Sequence, residues 1–210
     1  MAKALTPISI VGPGSLGLNT KSSSLEIGPE YCTTAINAVV ANTGVLAARD
    51  GYVAQNSTEI AGGDPIKVLH DYIDTCEQSR IISTGNLQIF EGTVNPTEVT
   101  GSITTPTGDN WKFVNFAGKC VGVQAAHAPI VKTNGGNFAD ISFDVAPDDP
   151  IDALSAFGRV WYAEADRQTI KYSDLLQEDV LDTGSSGVLN MYTVWGNGND
   201  EIVAIAEFNN

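Results

Sequence analysis

The residues of this chain that could carry chemistry are two histidines, three cysteines and a set of acidic residues. His70 lies between Leu69 and Asp71 in a strand-like run, and His127 sits in Ala125-Ala126-His127-Ala128-Pro129, read as a turn. A nucleophile needs a base held beside it. Neither histidine has a Ser or Cys next to it in a nucleophile-elbow pattern, and GxSxG is absent. Cys32, Cys76 and Cys120 are far apart, with no CxxC or Cys-His ligand spacing. Buried reduced thiols are expected there, not a zinc site. Asp140, Asp144, Asp148 and Asp149 lack the central Gly and terminal Glu of an EF-hand loop. The doublets Asp148-Asp149, Glu178-Asp179 and Asp200-Glu201 read as solvated loop charges. Glycosidase carboxylates pair in space, so doublets neither support nor exclude hydrolysis. No catalytic, cofactor-binding or metal residue is therefore assigned, no cofactor is expected, and the chain is read as a non-enzyme.

One motif matches a cofactor fingerprint. Ile8-Ser9-Ile10-Val11 followed by Gly12-Pro13-Gly14-Ser15-Leu16-Gly17 has the strand and GxGxxG of a dinucleotide site. That chemistry requires a helix whose N-terminal amides face the pyrophosphate. The next residues, Leu18 to Pro29, contain three consecutive serines and a Gly-Pro break, with no helical apolar stripe. An extended glycine-rich arm is the expectation.

Charge narrows the function classes further. Acidic residues outnumber basic ones 25 to 11, a net charge of −14, and Lys and Arg are scattered singly. Gripping a phosphate backbone needs clustered cations. An acidic wall past which DNA slides, or acidity that only aids solubility, fits the balance. Neither a signal peptide nor an apolar run long enough to cross a membrane is read.

The elements that must position these residues are short strands. Runs rich in Val, Ile, Phe, Tyr and Trp alternate with Gly, Ser, Thr, Asn and Asp, an all-β texture. The strands expected are Ile81–Ser83, Leu87–Phe90, Lys112–Phe116, Cys120–Gln124, Arg159–Ala163, Ile170–Ser173 and Glu201–Phe208. Turns are expected at Thr84-Gly85-Asn86, Asn134-Gly135-Gly136, Asp166-Arg167-Gln168 and Gly196-Asn197-Gly198-Asn199. Tyr31–Val40 carries the best helical pattern, Leu175–Val180 reads as a turn, and Pro147-Asp148-Asp149-Pro150 as a linker between two units. Four segments, 68–72, 113–118, 154–158 and 204–208, carry the aromatics Tyr72, Phe116, Phe157 and Phe208 at propeller-blade intervals. The expected fold is propeller-like blades of antiparallel strands over 61–210, after an extended arm and first strands over 1–60, with a β-sandwich as the alternative. Roughly three blades and the start of another are legible, so the chain is expected either to be the N-terminal part of a longer polypeptide or to close with strands from its N-terminal arm. Trp111, Trp161 and Trp195 are expected in the core; exposed together they would form a sugar platform.

Two stretches carry a resemblance. The first is Gly17 to Tyr31, with Ala35-Ile36-Asn37 and Gly44-Val45-Leu46-Ala47-Ala48-Arg49-Asp50-Gly51-Tyr52. The second is Phe157-Gly158-Arg159-Val160-Trp161-Tyr162-Ala163 with Thr169-Ile170-Lys171-Tyr172-Ser173-Asp174-Leu175. They resemble the β-propeller neck and tail proteins of short-tailed bacteriophages, such as tail-tube nozzle and hub proteins. The chain is shorter than typical nozzle proteins, and Arg49-Asp50-Gly51 replaces Arg-Pro-Gly. The resemblance implies a virion structural protein of the head-to-tail neck or nozzle, part of a commonly hexameric ring of identical copies around the DNA channel. Its implied partners are neighbouring neck proteins such as the adaptor, with DNA passing unbound and no membrane. The alternative is a receptor-binding or glycan-binding or -cleaving tail component.

Overall fold

The computed structural model describes residues 14, 16–23, 25–40, 46–49, 51, 53, 59, 60, 62–194 and 200–208. Among them the protein is all-β, with four antiparallel sheets, none closed into a barrel, and no α-helix. Two compact units divide at Ala54 and Gln55. The strand half of the glycine-rich motif, the Gly44-Val45 and Asp50 and Tyr52 positions, Trp195 and the Gly196–Asn199 turn lie outside the described residues.

In the first unit, β1 (Ala38–Val40) pairs with β2 (Leu46–Ala48), Val39 opposite Ala47. Leu18 and Cys32 form an isolated parallel bridge, with the Asn19 amide donating to the Cys32 carbonyl at 2.9 Å. Gly14 and Gly17 close a turn, and no helix begins there. The helix expected over Tyr31–Val40 does not form. Asn37 has φ +54, and Ala35 and Ile36 are exposed, so a helical stripe would have nothing to bury against.

The second unit consists of three four-stranded meanders in chain order. The first is β3 (Val68–Ile73), β4 (Ser79–Gly85), β5 (Gln88–Glu91) and β6 (Thr97–Glu98). The second is β7 (Lys112–Phe116), β8 (Lys119–Gln124), β9 (His127–Lys132) and β10 (Ala139–Asp140). The third is β11 (Asp152–Ala156), β12 (Arg159–Ala163), β13 (Thr169–Tyr172) and β14 (Gly187–Asn190). Pro147–Pro150 joins the second meander to the third. Two-residue turns at Asn86-Leu87, Ala117-Gly118 and Phe157-Gly158 have positive φ at both positions, the geometry whose twist matches paired strands.

Side chains alternate between faces, and in the second meander both faces are apolar. Cys120 and Ile130 pack with Tyr72, Ile82 and Ile89 of the first meander. Phe116, Val121 and Val123 point the other way and pack with Ala153, Val160 and Tyr162 of the third. The leading strands β3, β7 and β11 adjoin, with β7 touching both others. The meanders are therefore stacked, blade-like layers.

Four local expectations are corrected. The first hairpin turns one residue late, at Asn86-Leu87, because Gly85 still pairs with Gln88. His127 opens β9 instead of lying in a turn, paired with Gln124 around Ala125-Ala126. Glu201–Phe208 has no strand partner among the described residues and makes no ladder; the Ile202 amide donates to the Arg167 carbonyl. The aromatic repeat is also out of register. Phe116 precedes Ala117-Gly118, so its counterpart before Phe157-Gly158 is Ala156, and Phe157 sits in the turn itself.

Candidate functional site

The residues singled out for chemistry are mostly bound into the scaffold. His70 Nε2 is 3.1 Å from Asn115 Oδ1, and the Asn115 amide donates to the Asp71 carbonyl at 2.8 Å. These contacts tie β3 to β7. His127 is buried against the Trp111 ring, with the Ala128 carbonyl 2.6 Å from Nδ1 and the Thr104 carbonyl 2.8 Å from Nε2. The two histidines thus occupy separate settings, each engaged by amide or carbonyl groups.

The thiols differ from the buried set expected. Only Cys120 is buried, and burial pushes its thiol up; Cys32 is half-buried and Cys76 exposed. All three are unpaired as disulfides.

The aspartates act as loop clamps. The Asp144 carboxylate accepts the Leu181, Val145 and Asp182 amides at 2.7, 2.7 and 3.1 Å. These bonds, the Leu181 one foremost, hold its pKa at about 2. Asp140 accepts the Thr104 hydroxyl at 2.8 Å. Asp174 is held low by the Ser185 hydroxyl and then by the Leu175 and Ser185 amides. Glu178, expected as a solvated loop charge, is instead buried and meets Lys119 at 2.5 Å. That pair bridges the second and third meanders. Among the described residues no three His, Cys, Asp or Glu side chains converge to hold a metal ion.

The feature left unengaged is the outer face of the third meander. Here β11, β12 and β13 present Leu154, Trp161, Ile170 and Tyr172. The Trp161 and Tyr172 rings lie 4.8 Å apart at 36°, and the Arg159 guanidinium sits 5.5 Å from the Tyr172 ring centre. Trp161 Nε1 donates to the Ala156 carbonyl at 3.1 Å, so its one polar atom is satisfied and its ring remains an apolar surface. A groove of about 490 Å³ runs between this face and the Ile205–Phe208 segment, which is anchored where the Ile205 amide donates to Asp152 at 2.9 Å. Trp111 is buried between the first two meanders and Trp161 is half-buried, so the two are not neighbours on one platform.

Trp161, expected in the core, is half-buried on this face, and Phe157, expected as the aromatic of a repeated strand segment, is exposed in the turn. The missing signal was register: an aromatic in the first position of a two-residue turn points outward. Comparison with protein-family models, curated proteins and solved structures gives no match to this chain.

Proposed function

We propose that this chain is a non-catalytic building block of a bacteriophage particle, a neck or tail-nozzle protein whose copies form part of a ring around the DNA channel. The observation that carries this reading is the stack of three meanders, each binding the next through apolar faces, with an apolar face left over on the third. A layer that buries one face and leaves the other apolar is a unit built to be continued. The phage assignment draws on the residue resemblance of 17–52 and 157–175 to neck and nozzle proteins. The net charge of −14 supports it in one respect: a channel that passes DNA must not hold it, and each phosphate neutralised adds drag. The partners on this reading are other copies of the chain, six by resemblance, and neighbouring neck proteins such as the adaptor. The test is fractionation of purified particles into heads and tails, with the chain quantified in each. Recovery in the tail or neck fraction at a fixed multiple per particle supports the reading; absence from particles rejects it.

A receptor-binding or glycan-handling tail component is the second reading, favoured by the stacked Trp161–Tyr172 pair on the open face. Sugars bind such pairs through ring stacking together with polar groups that fix the hydroxyls. A glycan array on the intact chain separates the two, and a specific signal lost in Trp161→Ala would favour the second.

A further inference from the structure

We infer that residues 201–208 form a strap that closes over the outer face of the third meander and opens without unfolding the sheet beneath it, with the Asp152 carboxylate as the pin that holds it shut.

The place of the strap follows from register. The turns Ala117-Gly118 and Phe157-Gly158 set β7–β8 and β11–β12 in the same alignment. Leu154 then matches Val114, Ala156 matches Phe116 and Trp161 matches Val121. Val114, Phe116 and Val121 belong to the cluster that the second meander shares with the third. Their counterparts Leu154, Ala156 and Trp161 line the groove instead, and the 205–208 segment forms its other wall. The strap therefore lies against the third meander where the third meander lies against the second.

The same register places the pin. Asp152 opens β11 as Lys112 opens β7. The Lys112 ammonium reaches forward to Asp152 Oδ1 at 3.3 Å, and Asp152 Oδ2 in turn accepts the Ile205 amide at 2.9 Å. Oδ1 also accepts the Ala153 amide at 3.0 Å. Asp152 is buried, so these partners stand in for the water its carboxylate would otherwise hold. One carboxylate thus ties together the second meander, the third and the strap.

The rest of the hold is slight. The strap forms no ladder. Among the described residues its other polar ties are the Ile202 amide on the Arg167 carbonyl at 2.8 Å and an exposed Glu201–Arg167 ion pair at 3.2 Å. Ile202 is its one buried side chain, while Val203 is 75 % exposed and Phe208 87 %. By contrast Val160 and Tyr162, which the third meander packs on the second, are fully buried. The difference shows on the covered side as well: Val121 is fully buried, whereas its counterpart Trp161 is only half-buried. A segment that buries so little apolar surface opens at a small fraction of the cost of unfolding the sheet. When it opens, Asp152 Oδ2 exchanges the Ile205 amide for water, and the Leu154–Trp161 face is bared.

The test is native-state hydrogen exchange on the full chain, read residue by residue by NMR over a series of low urea concentrations. The Ile205 amide should be protected at least about tenfold relative to a free peptide, yet exchange at least about a hundredfold faster than the ladder amides of β12. Low urea should leave the Ile205 rate unchanged while it speeds exchange in β12, because opening the strap exposes little surface. In Asp152→Asn the carboxamide keeps its oxygen for Lys112 and Ala153 and turns its N–H groups toward the Ile205 amide, so that two donors face each other. Protection at Ile205 should then fall at least about tenfold, with β12 unchanged. Exchange of Ile205 together with β12, at one rate and with one urea dependence, overturns the inference, because the strap would then open only with the sheet. An Ile205 amide as fast as a free peptide overturns it too, since the strap would not close. Asp152→Asn that leaves Ile205 protected, or that weakens Ile205 and β12 equally, overturns the assignment of Asp152 as the pin.

Discussion

The Lys132 ammonium lies 2.9 Å from the Glu91 carboxylate, joining β9 of the second meander to β5 of the first. Lys132 is almost fully buried and also donates to the Gly136 carbonyl. Arg80 approaches Glu91 from the other side at 2.8 Å and Asp74 at 3.1 Å. Burial raises the Glu91 carboxyl, but the Lys132 and Arg80 bonds outweigh it and the net shift is downward. A buried charge stripped of its partner is costly, whereas replacing both members of the pair by apolar residues of matching shape can be nearly neutral. Lys132→Met should therefore cost about 3 kcal/mol in a urea denaturation series, and the double variant Lys132→Met/Glu91→Leu clearly less. A double variant that loses as much as the single one would contradict a stranded Glu91 charge as the cause.

Acid should loosen the loops that Asp74, Asp144, Asp166 and Asp174 clamp in the first and third meanders. Asp144 has a folded pKa of about 2 against an ordinary 3.8, and Asp74, Asp166 and Asp174 are lowered in the same direction. A depressed carboxyl contributes stability above its unfolded pKa and loses it as pH falls through the folded one. Denaturation midpoints should hold steady down to about pH 4 and fall between about pH 4 and 2. Asp144→Asn should start less stable at neutral pH and fall less steeply over that window. A slope unchanged by the substitution would remove Asp144 from the account.

Gly118 is fixed by two demands at once. Its φ is +75, and a side chain there would meet Thr75 of the loop between β3 and β4, while the Tyr72 hydroxyl donates to its carbonyl at 2.8 Å. Gly118→Val should destabilise by more than about 1 kcal/mol, since both backbone strain and the clash oppose it. Ala117→Asn, at φ +50 in the same turn, should be neutral or stabilising. Thermal melts of the two variants check the pair, and a tolerated Gly118→Val would contradict the close approach of turn and loop.

The all-β class and most strand positions were legible in the sequence because alternating branched and aromatic runs between Gly, Asn and Asp punctuation are local signals. Lys112–Phe116 and Arg159–Ala163 match the strands as formed. Strands such as β6 and β10 are two residues long and owe their existence to a neighbour, so nothing local marks them. Tyr31–Val40 misled because Ala35, Ile36 and Val39 share a helical face only if something covers it. The open face was invisible for a related reason. Trp161 reads as a core residue in any strand, and only the register set by Phe157-Gly158 tells which side of the sheet it takes. Glu178 likewise looks like a loop charge until Lys119, 59 positions away, is placed beside it.

DNA should pass this protein without sticking. With a net charge of −14 and scattered cations, gel mobility of duplex DNA should be unchanged by the chain at about 0.1 M salt. Retardation that weakens steeply as salt rises would reveal a cationic surface that the charge balance does not lead one to expect.

The central claim is that the chain is one of many identical wall elements around a DNA channel. Its copy number and place in a particle map test this most directly. The account predicts several copies in a closed ring about the tail axis. A single copy, a position off the axis at a fibre tip, or absence from the particle would contradict it.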